Sequence, residues 1–332
     1  MVYFRFEFGL GDGKKKEKFT WKSTMSGWEF VNQEVEKARE VGKYKTANNY
    51  LTAARSYTRF LNSDDWLFSE MTVETLENYQ RWLRERNICP NTISAYMRAL
   101  RVMYHRACEN DGVEPDDKAF AKVYTGRAKT AKRCITQENI QQLFALELLP
   151  GSSLAFARDI FIFSFYAMGM PFVDIAYLKK EQVKGNYILY ARHKTGQRVK
   201  VALLPAMVNI MQRYHQDESE YIFPILTEKT STGISQAESQ RDALHRLYLL
   251  RLRQYNYSLS RLSEKLGATF HLSSYVVRHS WASLAYQHHV DIGLIGRALG
   301  HTKSSTTLLY IKSIEEPDLG GVNQSLMEDL GL

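Results

Sequence analysis

The sequence predicts a mainly α-helical protein of two domains with one small β-hairpin or sheet. Three observations support this fold class: a length of 332 residues, helical spacing of apolar residues along most of the chain, and one pair of alternating segments near residues 187–202. A chain of this length usually exceeds a single domain. The hydrophobic content of 44% and the charged content of 24% are typical of globular proteins and argue against disordered and fibrous classes.

Membrane-spanning and secreted classes are also disfavoured. The sequence has no apolar run long enough to span a bilayer, and charges interrupt the apolar residues at the N-terminus. The cysteines are an odd number without metal-ligand spacing, namely Cys89, Cys108 and Cys134. They indicate reduced thiols, so we expect a cytoplasmic protein.

Residues 1–24 predict a short N-terminal hairpin or arm. Phe4, Phe6 and Phe8 alternate with other residues, and a glycine-rich turn at 9–13 follows them. Residues 14–16 are lysines, which we expect to form a flexible basic turn.

Residues 25–120 predict a helical bundle, because their apolar residues recur at steps of three and four. The last helix is expected to begin at Pro90, with Asn91 as its cap. The face of this helix opposite its apolar stripe is basic and consists of Arg98, Arg101 and His105. This face either contacts DNA or is an ordinary solvated surface.

The segment 121–135 predicts a basic linker between the domains. No acidic residue occurs between Asp117 and Glu138, and Gly126 disfavours a helix. The basic residues of the linker are Lys122, Arg127, Lys129, Lys132 and Arg133. A strap along a phosphate backbone explains both the composition and the one-sided charge, whereas a solvated linker explains only the composition.

Positive charge is spread over both predicted domains. Residues 1–133 and residues 134–310 each carry a net charge of +6, and residues 311–332 carry −4. The excess either serves solubility or indicates a polyanionic partner.

Residues 136–312 predict the second domain. Thr136 is expected to cap its first helix, at 137–147, and further helices are expected near 154–168, 205–215, 236–266, 273–289, 291–299 and 304–312. Residues 187–192 and 198–202 alternate like two antiparallel strands, which places Lys194 in the connecting turn. Glycine-rich phosphate loops and metal-ligand patterns are absent from the sequence, so we expect no cofactor and no metal.

Four motifs in the second domain are weak alone but occur in a distinctive order. They are Lys194-Thr195-Gly196, Arg278-His279 in a helix of small residues, Leu299-Gly300-His301, and Tyr310 nine residues after His301. In this order and spacing they resemble the tyrosine recombinase (phage integrase) family, which includes integrases and invertases of bacterial mobile elements. The resemblance implies a two-domain DNA clamp, with a SAM-like core-binding domain at 25–120 and a catalytic domain at 136–312.

The resemblance also implies a DNA strand transferase that needs neither metal nor ATP. Tyr310 would attack a phosphodiester and form a 3′-phosphotyrosine, while the planar guanidinium group of Arg278 binds two phosphate oxygens. His301 would donate to a non-bridging oxygen or assist the tyrosine proton. Lys194 would protonate the leaving 5′-oxygen.

The sequence departs from the family where a first arginine is expected. Counting from Gly169, that position is Pro171. The lost interaction would cost about 2–4 kcal/mol of transition-state stabilisation unless another group replaces it. Because side chains alternate along a strand, Arg192 would share a face with Lys194, and we expect Arg192 to be the replacement. The alternatives are that Arg192 binds a flanking phosphate, or that Arg158 is the replacement.

A second departure is Tyr275, which stands three residues before Arg278 where most members have histidine. A spacing of three keeps both residues on one helical face, so Tyr275 is expected to donate a hydrogen bond to phosphate without supplying a charge.

The resemblance implies a homotetramer on two double-stranded DNA sites and a Holliday junction intermediate. The tail 313–332 carries the apolar stripe Val322, Leu326 and Leu330, which would either dock on a neighbouring protomer or fold back on its own domain. An accessory DNA-bending protein is a further partner that the family allows, and the expected location is the bacterial nucleoid.

Other functions are also compatible with these residues. The chain could be a DNA-binding regulator or architectural protein without strand cleavage, or a type IB topoisomerase. The sequence leaves open the choice among integration, excision and inversion.

Overall fold

The computed structural model describes residues 21–128, 134–227, 240–267, 270–311 and 327. The chain divides into two compact units, residues 1–130 and 131–332. Residues 1–20 of the predicted N-terminal hairpin and all but residue 327 of the predicted tail lie outside the described residues, as do Lys129, Lys132 and Arg133. The described part is mainly α-helical with one small antiparallel sheet, as the sequence predicts.

Within residues 21–128, the first unit contains four α-helices, in agreement with the spacing of apolar residues. They are α1 (Gly27–Glu40), α2 (Tyr44–Leu61), α3 (Val73–Glu85) and α4 (Pro90–Asn110). Buried aromatic rings join these elements: Trp66 and Tyr79 each meet Tyr57 edge to face, at 5.3 and 5.2 Å between ring centres. Aromatic pairs of this geometry stabilise a core beyond the area they bury.

The beginning of α4 differs from the sequence prediction. Pro90 is the first helical residue, as expected, but the cap position is Cys89 and not Asn91. The side chain of Asn91 instead binds the backbone of Ala128. Its Nδ2 donates to the Ala128 carbonyl at 3.1 Å, and its Oδ1 accepts from the Ala128 N–H at 2.9 Å.

The first half of the predicted linker packs on the first unit. Val123 is buried in the core of that unit, and the N–H of Tyr124 donates to Oε1 of Gln80 at 2.6 Å. Residues 121–128 are therefore not an extended strap. Isolated apolar residues among basic ones have no period that would reveal a packed segment.

Over residues 134–227, 240–267 and 270–311, the second unit contains eight α-helices and a three-stranded sheet. The helices are α5 (Gln137–Ala145), α6 (Ser153–Tyr166), α7 (Phe172–Ala176), α8 (Pro205–Arg213), α9 (Gln240–Lys265), α10 (Val276–Gln287), α11 (Ile292–Ala298) and α12 (Ser304–Ile311). The short α7 is not predicted by the sequence. Thr136 caps α5 as predicted, because its Oγ1 accepts from the N–H of Asn139 at 3.3 Å.

The sheet contains the predicted hairpin and one additional short strand. The strands are β1 (Val183–Lys184), β2 (Tyr187–Ala191) and β3 (Arg198–Ala202), in the antiparallel order β1-β2-β3. The inward pairs are Ile188 with Val201 and Tyr190 with Val199, and all four side chains are buried. The outward side chains of both long strands are exposed.

The end of β2 overturns one argument from the sequence. The strand ends at Ala191, so Arg192 and Lys194 lie in the turn and strand alternation does not relate them. Arg192 is buried, whereas Lys194 is exposed. The two side chains therefore differ in burial, although both lie close enough to His301 to affect its pKa.

Helix α6 is apolar on most sides and carries one buried acid, Asp159. Its carboxylate oxygens accept from Nη2 of Arg158 at 2.9 Å, from Nη1 of Arg213 at 2.6 Å and from the hydroxyl of Tyr214 at 2.8 Å. Arg158 also donates to the carbonyl oxygen of Leu146. Arg158 therefore neutralises the buried carboxylate of Asp159.

Within the described residues, no helix is long and apolar enough to cross a membrane.

Candidate active site

Helix α10 places Arg278 in the interior of the second unit, where 3% of the residue is exposed. Its Nη1 donates to the carbonyl oxygen of Gly169 at 3.0 Å. Its Nη2 donates to the carbonyl oxygen of Leu299 and lies 3.2 Å from Nε2 of His301. Gly169 has a φ of +70°, and a Cβ there would lie 3.0 Å from the Arg278 Cα, so this close approach favours glycine.

The Leu-Gly-His motif forms the C-terminal cap of α11. Gly300 has a φ of +61°, and its N–H donates to the carbonyl of Arg297 at 2.9 Å. The N–H of His301 donates to the carbonyl of Gly296, also at 2.9 Å. This pair of bonds defines a Schellman motif. The cap presents the Leu299 carbonyl and the His301 ring to the buried arginine.

Arg192 reaches the same carbonyl oxygen from the hairpin. The residue is 7% exposed, and its Nη1 donates to the carbonyl of Leu299. Its Nε lies 2.7 Å from Oδ2 of Asp174 in an ion pair whose angles fall outside hydrogen-bond geometry. The other oxygen of Asp174 accepts from the N–H of His193 at 2.8 Å. Asp174 therefore holds both the arginine side chain and the backbone of the turn.

Lys194 lies in an anchored turn directly after these residues. The ring of His193 stacks on Tyr177 at 4.8 Å between ring centres. The N–H of Gly196 donates to the carbonyl of Arg192 at 2.8 Å. Contacts of His193 and Gly196 thus hold the backbone on both sides of Lys194. Its exposed ammonium group is therefore positioned to contact an external phosphate.

The site carries more positive than negative charge. Burial, followed by the positive charges of Arg278, Arg192 and Lys194, lowers the pKa of His301 to about 4. The imidazole is therefore neutral at pH 7. In the described site, Asp174 is the one acid paired with these cations. The site therefore keeps an excess of positive charge, which favours binding of an anion. Among the described residues, no group of three or more His, Cys, Asp or Glu side chains could hold a metal ion.

Two expected site residues are not placed with this cluster. Tyr310 belongs to α12, but its side chain lies outside the described part of the structure. Tyr275 precedes α10 at the cap position, is 45% exposed and contacts the ring of His279 at 5.5 Å between ring centres. Its backbone angles are helical (φ −95°, ψ −23°), so the spacing of three from Arg278 extends to it, but Tyr275 is exposed whereas Arg278 is buried.

The expected DNA-binding residues of the first unit differ in exposure. Arg98 is exposed, whereas Arg101 and His105 are partly buried. Lys122 is exposed, with its Nζ 4.0 Å from a carboxylate oxygen of Glu77, and Arg127 is also exposed.

Sequence reasoning missed four groups that organise the site. Asp174 had a signal, because it is the one charged residue between Asp159 and Lys179. Thr307 is fully buried with its Oγ1 2.9 Å from Nδ1 of His301, yet nothing distinguishes it from neighbouring threonines in the sequence. The carbonyls of Gly169 and Leu299 are backbone groups, so no residue type reveals them.

Comparison with known proteins assigns the class. Residues 28–123 match the phage integrase SAM-like domain, and residues 133–316 match the phage integrase family. The chain therefore belongs to the phage integrase family of tyrosine recombinases, as the order of its motifs predicts. The matches to two family models also agree with the predicted fold class.

Similar proteins include recombinases from archaea and bacteria. The tyrosine recombinase XerA of Thermococcus kodakarensis is 24% identical over 264 residues, which cover 78% of this chain and 83% of the relative. The tyrosine recombinase XerD of Vibrio cholerae is 21% identical over 266 residues, covering 80% and 84%.

Two solved structures show the same fold. A dimer of lambda integrase residues 75–356 bound to a COC′ core site aligns with a TM-score of 0.60 and 14% identity, over 89% of this chain and 97% of that chain. The Tn1549 transposon integrase in complex with transposon right-end DNA aligns with a TM-score of 0.58 and 10% identity, over 93% and 100%.

Proposed function

We propose that this chain is a site-specific tyrosine recombinase that cuts and rejoins double-stranded DNA in the bacterial cytoplasm. The observation that carries the proposal is the convergence of Arg278, Arg192 and His301 around the Leu299 carbonyl. Two guanidinium groups and one neutral imidazole form a compact binding site for a phosphodiester. Membership of the phage integrase family supports the same reaction.

In the proposed cleavage step, the hydroxyl of Tyr310 gives its proton to His301 as its oxygen attacks phosphorus, and the bond from phosphorus to the 5′-oxygen breaks. Lys194 supplies the proton that converts the leaving oxygen to a 5′-hydroxyl. The 3′ end remains esterified to Tyr310, which conserves the bond energy. A 5′-hydroxyl from a partner strand then attacks the phosphotyrosine, releases Tyr310 and forms the recombinant strand, with a Holliday junction between two such exchanges.

We propose that Arg192 replaces the arginine missing at Pro171. Its guanidinium group and that of Arg278 donate to the same carbonyl oxygen, that of Leu299. Its positive charge also helps to lower the pKa of His301. The alternative, binding of a flanking phosphate, requires an outward guanidinium, and Arg192 is 7% exposed. The replacement thus depends on the ion pair with Asp174 and not on strand alternation.

Covalent trapping tests the proposed reaction. The binding sequence is first selected from a random duplex pool with Tyr310→Phe, and a nicked duplex of that sequence is then incubated with the unmodified chain. We expect an SDS-stable 3′-phosphotyrosyl adduct that Tyr310→Phe does not form and the exposed control Tyr257→Phe does form.

Binding of the selected duplex without an adduct would support the DNA-binding regulator instead. Relaxation of a supercoiled plasmid that lacks the selected sequence would support the topoisomerase. Sequencing the DNA beside the gene separates inversion from integration, because inverted copies of the selected site around a promoter indicate inversion.

We propose that four protomers assemble on two DNA sites through the tail 313–332. The net charge of −4 over residues 311–332 and the apolar stripe at Val322, Leu326 and Leu330 suit a protein contact more than a DNA contact. Deletion of residues 318–332 is expected to leave single-site binding intact and to weaken pairing of two sites. Loss of single-site binding would contradict this role.

A further inference from the structure

We propose that Thr307 is a positioning residue that holds His301 in the tautomer with hydrogen on Nδ1 and leaves Nε2 as an acceptor. The tautomer follows from the geometry of the described residues. Its consequence for DNA cleavage rests on the proposed function.

The contact with Arg278 determines which nitrogen of His301 lacks hydrogen. Nη2 of Arg278 lies 3.2 Å from Nε2 of His301. A guanidinium group has donors and no acceptor, so Nε2 must accept. The other charged groups that face the ring, Arg192 and Lys194, are also positive, and together with burial they keep the imidazole neutral. A neutral imidazole carries one hydrogen, which must therefore be on Nδ1.

Thr307 supplies the acceptor that this hydrogen requires. Its Oγ1 lies 2.9 Å from Nδ1 of His301, and the residue is 0% exposed. Gly296 makes room for the hydroxyl, because a Cβ at that position would lie 2.9 Å from Oγ1. Loss of the hydroxyl would remove the acceptor of the Nδ1 hydrogen, which favours the other tautomer.

The position of Thr307 in the chain links the tautomer to the nucleophile. Thr307 lies on α12, one turn before Tyr310 in the sequence of that helix. With Nε2 as the acceptor, His301 can take the phenolic proton as the Tyr310 oxygen attacks phosphorus: the O–H bond breaks, an N–H bond forms and the ring becomes imidazolium. Rejoining returns that proton to the phenolate. Donation from Nε2 to a non-bridging oxygen would need the opposite tautomer.

The tautomer can be measured without any activity. The full chain is labelled with ¹⁵N in its histidine rings, and the His301 signals are assigned by their loss in His301→Gln. We expect a protonated Nδ1 and an unprotonated Nε2 in the unmodified chain and in Thr307→Ser. Thr307→Val, which keeps the branched shape without the hydroxyl, is expected to shift the proton toward Nε2.

Single-turnover cleavage of the nicked selected duplex tests the consequence. Thr307→Val is expected to cleave about 10–100-fold more slowly with an altered pH profile, and Thr307→Ser to remain within about threefold of the unmodified chain. Thr306→Val is the matched control, because it removes a hydroxyl from the preceding residue.

The outcomes separate this inference from the proposed function. An unmodified chain that forms no adduct defeats the recombinase proposal, whatever the ring tautomer. A chain that cleaves DNA but carries hydrogen on Nε2 of His301 overturns the role of Thr307. Equal tautomers, rates and pH profiles in Thr307→Val and the unmodified chain overturn it as well.

Discussion

Arg192 and Arg278 donate to the same acceptor, the backbone carbonyl oxygen of Leu299. Two guanidinium groups brought this close repel each other, and Asp174 is the one carboxylate ion-paired with either in the described site. A bound phosphate would supply negative charge beside these two positively charged groups. We therefore expect the scissile phosphate to bind next to these two guanidinium groups.

Replacement of Arg192 should impair chemistry more than binding. Arg192→Ala removes one of two cations that stabilise the transition-state charge, so single-turnover cleavage is expected to fall about 100–1,000-fold. Affinity for the selected duplex should change little, because phosphates along the whole site contribute to binding. Arg198→Ala, an exposed cation at the start of β3, is the matched control. A near-normal cleavage rate for Arg192→Ala would end its assignment as the replacement arginine.

Asp174 should act through Arg192. Asp174→Asn keeps an oxygen for the His193 N–H but removes the charge that pairs with the Arg192 Nε. Single-turnover cleavage should fall about tenfold, and Asp174→Asn combined with Arg192→Ala should be no slower than Arg192→Ala alone. Additive losses in this double-variant cycle would show that the two residues act independently.

Local patterns account for the part of the fold that the sequence predicts. The helical spacing and the alternation of residues 187–202 identified the helices and the hairpin, and the spacing from His301 to Tyr310 identified the family. The short α7 and β1 contain too few residues to show a period.

Contacts between distant segments account for the rest of the site. Arg192 was selected from strand alternation, yet it meets Leu299 because Asp174 and the α11 cap converge on it. The carbonyl of Gly169 and the hydroxyl of Thr307 likewise become visible only when separate elements pack together. No local period encodes such long-range contacts.

Gly300 should be required both for the stability of the fold and for cleavage. Its φ of +61° makes a side chain strained by about 1–2 kcal/mol, and a Cβ would lie 2.9 Å from Cγ of Arg192. Gly185 is the matched control, because its φ is +56° and nothing lies within 4 Å of its Cβ position. Urea unfolding should therefore show that Gly300→Ala is more destabilising than Gly185→Ala, and only Gly300→Ala should slow cleavage. Equal effects of both variants would show that the packing against Arg192 is unimportant.

The neutral state of His301 should make the folded chain less stable in acid. The pKa of His301 is about 4 in the folded chain, against an ordinary value of 6.5. Between pH 4 and pH 6.5, the unfolded chain therefore binds a proton at this histidine that the folded chain does not bind. Stability is therefore lost as pH falls from about 6.5 to about 4, and no further loss from this group follows below that range. The ring is partly exposed, so solvent screening should limit the loss to about 1–2 kcal/mol.

Urea unfolding of the unmodified chain and of His301→Gln should give free energies of unfolding that diverge between pH 6.5 and pH 4. His288→Gln is the control, because His288 is exposed. Parallel curves for the unmodified chain and His301→Gln would mean that burial and the cationic neighbours do not hold the imidazole neutral.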